Sequence, residues 1–390
     1  MLKTNLLATK LHPPALHTAL VQRPQLLQRL DEGLASGRPL TLVSAPAGFG
    51  KSACISAWVN QVSCPFSWLS LDKADDNPWR FFTYFIAALQ KINERLGQEM
   101  ESVLQSDSLP SAEMISSLII NDILDLPHPF VLILDDFHVI QDNTCLQVIE
   151  DILIQQPQQL HLVLITREDP LLPLARLRAG NRMTEIRISD LRFSEDETRH
   201  FLNEIMGLTL RTEDLSMLSN RTEGWVVGLQ LAGLSIRDRS DSSEFIKSLN
   251  GNHRYILSYL TEEVLNQQSQ DIQEFLLQTS ILEKLNAELC DAVTGRSDSA
   301  DMLEHLYAAN LFLISLDEEH YWYRYHQLFA DLLHTRQMRT RKEQTQELHR
   351  RAGQWFTEAG LISEAIEHSI SGGDYAGAVA LIEKHATRMV

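Results

Sequence analysis

Cysteine is scarce in this chain of 390 residues, and so are long apolar runs. The four cysteines, Cys54, Cys64, Cys145 and Cys290, are scattered and form no Cys-x-x-Cys pair. This argues against a zinc site or a disulfide framework and favours a reducing compartment. No apolar run approaches the roughly 20 residues that a membrane span needs, and the N-terminus lacks the apolar region of a secretory signal. The sequence therefore predicts a cytoplasmic protein that has no membrane partner.

Positive charge is also in short supply. The chain has 34 Lys and Arg against 52 Asp and Glu, for a formal net charge of −18. Such a balance makes it a poor candidate for wrapping a nucleic-acid backbone. Hydrophobic content of 44% and charged content of 22% are ordinary for a globular protein. The length indicates about two to four domains.

A glycine-rich turn is the most informative motif present. It reads Ala45-Pro-Ala-Gly-Phe-Gly-Lys-Ser52, after the apolar run Leu40–Val43 and before the helix-compatible run Ala53–Val59. Strand, glycine turn, Lys-Ser and helix are typical of a nucleotide phosphate site. Ala45 departs from the usual first glycine of this motif. The alternative interpretation is a turn of small residues that binds nothing.

Each residue type in this turn suits a phosphate. Gly48 and Gly50 can take positive φ angles, which let successive backbone N–H groups point inward. Lys51 would bind the outer phosphates, and the Ser52 hydroxyl would ligate Mg²⁺. The residues expected to bind the nucleotide here are Pro46, Ala47, Gly48, Phe49, Gly50, Lys51, Ser52 and Ala53.

A second motif lies 85 residues farther along the chain. Phe130–Asp136 is an apolar run that ends in two acids, and it predicts a strand buried on both faces of a parallel sheet. Ligands bind at the carboxyl ends of such strands. We expect Asp135 to hold Mg²⁺ and Asp136 to orient a water for attack on the γ-phosphate. The alternative is an ordinary Asp-rich turn.

A third apolar run, His161–Thr166, precedes Arg167. If this strand is inserted between the strands that carry the first two motifs, it aims Thr166 or Arg167 at the γ-phosphate. Arg suits that role because its charge is permanent and its donors are forked. The alternative is a solvated Arg at a strand end.

The order of elements predicts a P-loop NTPase α/β domain with a parallel sheet, then a helical domain, a winged helix and the start of an α-superhelical repeat region. The predicted strands are 40–44, 66–71, 130–135, 161–166 and 184–188. The predicted domains are 1–192, 193–265, 266–336 and 337–390.

The helical part has its own signals. Ser194 and Glu197 match a capping box, and 237–243 reads as an exposed linker. Three helices over 271–309, followed by a hairpin, indicate a winged helix. Its third helix has two acids and no Lys or Arg, which argues against DNA reading by this module. The last segment holds only about one and a half helical hairpins of a repeat array, so we expect the sequence to end early in its last domain.

Four segments together resemble the MalT-like regulators, which are large ATP-binding transcription regulators of the STAND class of signal-transduction ATPases. The resemblance covers essentially the whole chain. The matching segments are 68–72 with 75–78, 135–138, 224–225 with 228–232, and 325–333.

The resemblance implies a switch. In such proteins ADP stabilises a closed monomer, ATP and an inducer favour an open form that self-associates, and hydrolysis resets the system. The family order is nucleotide-binding domain, helical domain, winged helix, superhelical sensor and a LuxR-type helix-turn-helix. The inducer-binding sensor and the DNA-binding module would then lie beyond Val390.

The resemblance also implies residue roles. Lys51 and Ser52 would bind phosphates and Mg²⁺, Asp135 and Asp136 would be the acidic pair, and Arg167 would occupy the sensor position. The segment around Val21 and Arg23 would line the adenine pocket. His326 would contact the β-phosphate of ADP, the alternative being a His that caps a helix or packs in the core. The Gly-x-Pro of related NB-ARC proteins is absent, since the chain has Gly224-Trp-Val226 there.

Two other functions compete with the switch. A mechanical AAA+-like ATPase with continuous turnover would need an arginine finger across a ring interface, and no sequence pattern identifies one. An interaction scaffold with a degenerate nucleotide site is disfavoured by the intact Lys51-Ser52 and Asp135-Asp136 pairs.

Overall fold

The computed structural model describes residues 6–15, 20–104, 109–237 and 242–385. The chain divides into two compact units, residues 1–192 and 193–390. The first unit ends at the residue where the sequence places the end of the nucleotide-binding domain. The further division of the second unit into three domains stays a prediction.

The first unit is built on a parallel sheet of five strands in the order β2-β3-β4-β1-β5. The strands are β1 Leu40–Ser44, β2 Phe66–Ser70, β3 Phe130–Asp135, β4 Leu160–Thr166 and β5 Met183–Ile186. Every residue of β1, β3 and β4 is buried, because these strands are covered on both faces. The predicted α/β P-loop fold class is thereby confirmed.

The predicted strands lie within one residue of the observed ones, except at the end of the last strand. The predicted strand 184–188 ends earlier, at Ile186. Arg187 precedes the next helix, and its backbone N–H donates to the Asp190 carboxylate at 2.8 Å. The capping contact therefore ends the strand two residues sooner than the apolar pattern suggests.

Helices cover the sheet, and aromatic residues of α3 fill much of the core. Phe81, Phe82 and Phe85 are fully buried, so the apolar stripe of this helix belongs to the core. The helices of this unit are α1 Pro24–Ala35, α2 Lys51–Val59, α3 Pro78–Gln90, α4 Gln98–Val103, α5 Ala112–Leu124, α6 Asn143–Gln155, α7 Leu174–Ala179 and α8 Ile188–Leu191. Short 3₁₀ turns occupy Ala8–Leu11, Lys73–Asp76 and Phe137–Val139.

The second unit is helical apart from one antiparallel hairpin, β6 Leu313–Ser315 and β7 Tyr323–Tyr325. Its helices are α9 Glu195–Arg199, α10 Thr212–Thr222, α11 Val226–Arg237, α12 Ser242–Ser248, α13 Arg254–Tyr259, α14 Gln270–Thr279, α15 Ala287–Thr294, α16 Ser299–Ala308, α17 Gln327–Thr340, α18 Lys342–Glu358, α19 Ile362–Ser371 and α20 Tyr375–His385. Segments His200–Ile205 and Leu260–Val264 are π-helical, and Leu265–Gln267 is a 3₁₀ turn.

The capping box, the winged helix and the linker are the local features that the sequence predicts in this unit. The Ser194 capping box forms, since Ser194 Oγ accepts from Glu197 N and the Glu197 carboxylate accepts from Ser194 N at 2.8 Å. Three helices and a hairpin build the winged helix as expected. The first of them, α14, ends at Thr279. Of the predicted linker 237–243, residues 238–241 lie outside the described residues, and Ser242 already begins α12.

One ion pair connects the helical part of the second unit to its winged helix. Arg324 on β7 donates to both carboxylate oxygens of Glu223 at 2.8 and 2.9 Å, and Gln327 N donates to the same carboxylate at 3.0 Å. Burial alone would raise the pKa of Glu223, but these bonds and the Arg324 charge outweigh it and lower the pKa to about 2.

None of the helices in the described ranges has the length and apolarity that a bilayer crossing demands.

Candidate functional site

The sheet order brings three sequence motifs to one edge of the first unit. β4 lies between β1 and β3, which is the condition on which the expectation for Thr166 and Arg167 depended. In register, Ser44 is opposite Thr166, and Ser70 is opposite Asp135. The turn after β1, Arg167 after β4 and the acids at the end of β3 therefore meet at the carboxyl ends of the strands, where open α/β sheets bind ligands.

The glycine turn has the backbone that a phosphate cradle requires. Gly48 has φ 81° and Gly50 has φ 78°, and residues that carry a side chain rarely adopt such positive φ angles. Helix α2 starts directly after Gly50, so its N-terminal N–H groups face this edge. Ala45 is fully buried and its N–H donates to the Thr166 carbonyl at 3.4 Å, which extends the β1–β4 pairing. The departure from glycine at Ala45 is thus accommodated by the sheet.

The Lys51 side chain is folded under the turn. Its Nζ donates to the carbonyls of Ala45 and Pro46 at 2.7 and 2.9 Å. The pKa of Lys51 is lowered to about 8, chiefly by burial and also by the Arg167 charge, while the charges of Asp136 and Asp135 oppose the shift. An anionic ligand at the turn would favour the charged amine, as the phosphate role of Lys51 requires.

Ser52 and Asp135 join the turn to the acidic strand. Ser52 Oγ donates to Asp135 Oδ1 at 2.9 Å, and Asp136 N donates to the same oxygen at 3.0 Å. The pKa of Asp135 is raised to about 6, chiefly by burial and also by the charge of the neighbouring Asp136. A hydroxyl and a carboxylate oxygen in contact suit Mg²⁺. In the described ranges, no cluster of three or more His, Cys, Asp and Glu side chains can hold a metal, so phosphate oxygens and waters would supply the other ligands.

Asp136 lies at the mouth of this site in a left-handed backbone conformation, with φ 58°. Its side chain is 46% exposed, which leaves the carboxylate accessible to water. His138, on the following 3₁₀ turn, places Nδ1 3.8 Å from Asp136 Oδ1. Sequence reasoning gave His138 no role, although it stands in the Asp-Asp-Phe-His run that carried the family resemblance.

The two candidates at the end of β4 differ in what their side chains do. Thr166 is fully buried, and its hydroxyl donates to the Glu168 carbonyl at 2.5 Å. The charge of Arg167 acts on both Lys51 and His138, where it lowers each pKa. Arg167 is therefore the better placed of the two to act on a phosphate.

Arg23, expected beside the adenine, fastens the N-terminal segment to the end of the first unit. Its guanidinium donates to the carbonyls of Asp190 at 2.7 Å, and of Leu191 and Arg192 at 3.0 Å. The Arg23 charge also opposes the rise that burial causes in the pKa of Cys54, which places the segment near α2. Roles for Arg23 and the half-buried Val21 in binding adenine stay predictions.

His326 lies in the second unit and is 1% exposed. Its Nε2 donates to the Thr222 carbonyl at 2.9 Å, and its ring packs edge-on against Phe312 and Trp225. Trp225 itself is fully buried. This is the helix-capping, core-packed arrangement that was the alternative for His326, and the contact with a phosphate stays a prediction.

Comparison with known proteins adds sequence similarity to this geometry. Residues 261–345 match the family model described as the MalT winged helix domain. The chain is 32% identical over 385 residues to the serine/threonine-protein kinase PknK of Mycobacterium tuberculosis, covering 98% of this chain and 34% of PknK. It is 32% identical over 383 residues to the HTH-type transcriptional regulator MalT of Yersinia enterocolitica, covering 98% of this chain and 42% of that protein.

A solved structure shares the fold. The Walker-type ATPase paby2304 of Pyrococcus abyssi matches with a TM-score of 0.56 and 16% identity, over 83% of this chain and 98% of that chain. The chain spans between about a third and two fifths of the length of its curated relatives. Those relatives are named for different activities, a kinase and a transcriptional regulator, yet both align with nearly all of this chain.

We expect the Arg23 contacts to stabilise the first unit. Replacing Arg23 by Met should lower the free energy of unfolding by about 2 kcal/mol, since it leaves three carbonyls without a charged donor. Arg29→Met is the matched control, because Arg29 reaches the same segment through a surface ion pair with Asp190 and should cost less than about 1 kcal/mol. Chemical denaturation measures both, and equal losses would contradict the special role of Arg23.

Proposed function

This chain belongs to the MalT-like STAND ATPases, and from this premise we propose that it is a nucleotide-operated switch module which binds ATP and ADP with Mg²⁺ and hydrolyses ATP slowly. The observation that carries the proposal is the contact between Ser52 and Asp135 beside the buried Lys51. It joins a hydroxyl and a carboxylate at the edge where a P-loop sheet binds its ligand, and the Lys51 amine lies under the adjoining turn.

Each side chain has a defined task in the proposed site. The backbone N–H groups of residues 47–50 and of the start of α2 would surround the phosphates, and Lys51 would neutralise them. Ser52 and Asp135 would hold Mg²⁺, which would screen the charge on the phosphates. Arg167 would stabilise the charge that develops on the γ-phosphate during transfer.

Asp136 would act on the attacking water. Its carboxylate accepts a hydrogen bond from the water and takes up its proton as the water oxygen bonds to the γ-phosphorus. The bond from the γ-phosphorus to the β–γ bridging oxygen breaks, and ADP leaves with that electron pair. The exposed position of Asp136 supports this assignment.

The chemistry would serve a switch. In the proposed cycle ADP favours a closed monomer, ATP with an inducer favours an open form that self-associates, and hydrolysis returns the protein to the ADP state. Shifting such an equilibrium from 1:99 to 99:1 requires about 5.5 kcal/mol of differential binding. For His326 Nε2 to donate to the β-phosphate of ADP, its hydrogen bond to the Thr222 carbonyl would have to break.

Regulation of transcription is the output that we propose, on the model of the relatives named HTH-type regulators. A separate helix-turn-helix would make the DNA contact, because this chain carries a net charge of −18. The inducer would bind a sensor module. The cytoplasm is the proposed location.

Lys51→Ala should abolish binding of ADP and ATP, since the phosphates lose their buried counter-charge. Isothermal titration calorimetry measures the affinity. Lys91→Ala is the control, because Lys91 is an exposed lysine of the same unit and its removal should leave the affinity unchanged. Undiminished binding by the Lys51 variant would remove the phosphate assignment.

Asp136→Asn should bind ATP with nearly wild-type affinity but hydrolyse it at least about 100-fold more slowly, because an amide does not accept the proton of the water. Single-turnover hydrolysis, measured after nucleotide affinity, separates the two effects. A normal rate would show that another group activates the water.

A further inference from the structure

His138 is a half-buried residue at the edge of the proposed site that no assigned role uses. Its side chain is 19% exposed, and Nδ1 is buried with no hydrogen-bond partner among the described residues. A buried polar atom without a partner is costly and calls for an explanation. Asp136 Oδ1 lies 3.8 Å from His138 Nδ1.

The charges that act on His138 are those of the site itself. Asp136 favours its protonated form, whereas Arg167, Lys51 and Lys73 oppose it. Burial is the largest influence and brings the pKa of His138 to about 4, so the imidazole is neutral at physiological pH. A neutral imidazole carries one N–H, which suits it to donate a single hydrogen bond.

We propose that His138 is a positioning residue for ATP hydrolysis, which donates from Nδ1 to Asp136 Oδ1 when nucleotide is bound and so orients the carboxylate toward the attacking water. The inference rests on the proposed ATPase function. It requires the two atoms to approach by less than 1 Å, from 3.8 Å to the usual hydrogen-bond distance of about 3 Å. Catalytic hydrogen bonds are often long before substrate binds and shorten in the complex.

The bond would restrict the half-exposed Asp136 side chain, which rotates about χ1 and χ2 unless something holds it. With Oδ1 accepting from His138, Oδ2 is left to accept from the water. His138 itself makes no contact with the water, and the proton still passes to Asp136. The role is analogous to that of groups which orient a general base in other hydrolytic sites.

The experiment compares three substitutions of His138 in single-turnover hydrolysis, with ADP affinity measured separately by calorimetry. An Asn amide nitrogen occupies the place of Nδ1, and a Gln amide nitrogen that of Nε2. We therefore expect His138→Ala and His138→Gln to slow hydrolysis roughly 10- to 30-fold, the effect of one hydrogen bond to a charged group. His138→Asn should recover most of the rate, and ADP affinity should change little in all three.

Two further measurements separate positioning from a structural effect. His128→Ala is the matched control, since His128 is exposed near the opposite end of β3, and its rate should equal that of the wild type. If His138 acts through Asp136, then His138→Ala added to Asp136→Asn should cause little further loss of rate.

The outcomes are distinguishable. A wild-type rate for His138→Ala, equal losses for Asn and Gln, or full additivity with Asp136→Asn would each overturn the role of His138. A wild-type protein that binds nucleotide and does not hydrolyse it would refute the proposed ATPase function, and the positioning role would fall with it.

Discussion

The hydrogen bond between Ser52 Oγ and Asp135 Oδ1 is the contact on which the rest of the site depends. It joins residues 83 positions apart, and only the sheet order brings them together. Because β4 lies between β1 and β3, the phosphate turn, Arg167 and the acidic pair share one edge. Because β1, β3 and β4 are buried on both faces, the strands have no room to shift register. Their carboxyl ends are therefore held in fixed positions relative to one another.

The site is electrostatically incomplete without a ligand. Burial raises the pKa of Asp135 to about 6 and lowers that of Lys51 to about 8, so each group is pushed toward its neutral form. The carboxylate would gain from a cation and the amine from an anion. A Mg²⁺-nucleotide brings both charges at once. The two opposite pKa shifts are therefore both relieved by the same kind of ligand.

Much of this arrangement could be predicted from the sequence, because its signals are local. The apolar runs predicted the strands, and Gly48 and Gly50 predicted the positive φ angles. The position of β4 between β1 and β3 was only a condition for placing Arg167 at the site. The remainder depends on contacts between distant residues. Arg23 reaches three carbonyls near position 191, and no local pattern predicts that. Nor does a local pattern reveal the left-handed backbone at Asp136 or the 3.8 Å separation of its Oδ1 from His138 Nδ1.

Similarity to proteins named as a kinase and as a transcriptional regulator indicates that this fold is compatible with more than one output. What these relatives share with the chain is the nucleotide unit and the helical unit that follows it. The central claim is therefore occupancy of the phosphate site, and the nucleotide that co-purifies with the protein tests it most directly. Chromatography of an acid extract should find ADP, near one equivalent per chain, and none with Lys51→Ala. A wild-type protein that yields no nucleotide and gives no heat with added ADP or ATP would contradict the account.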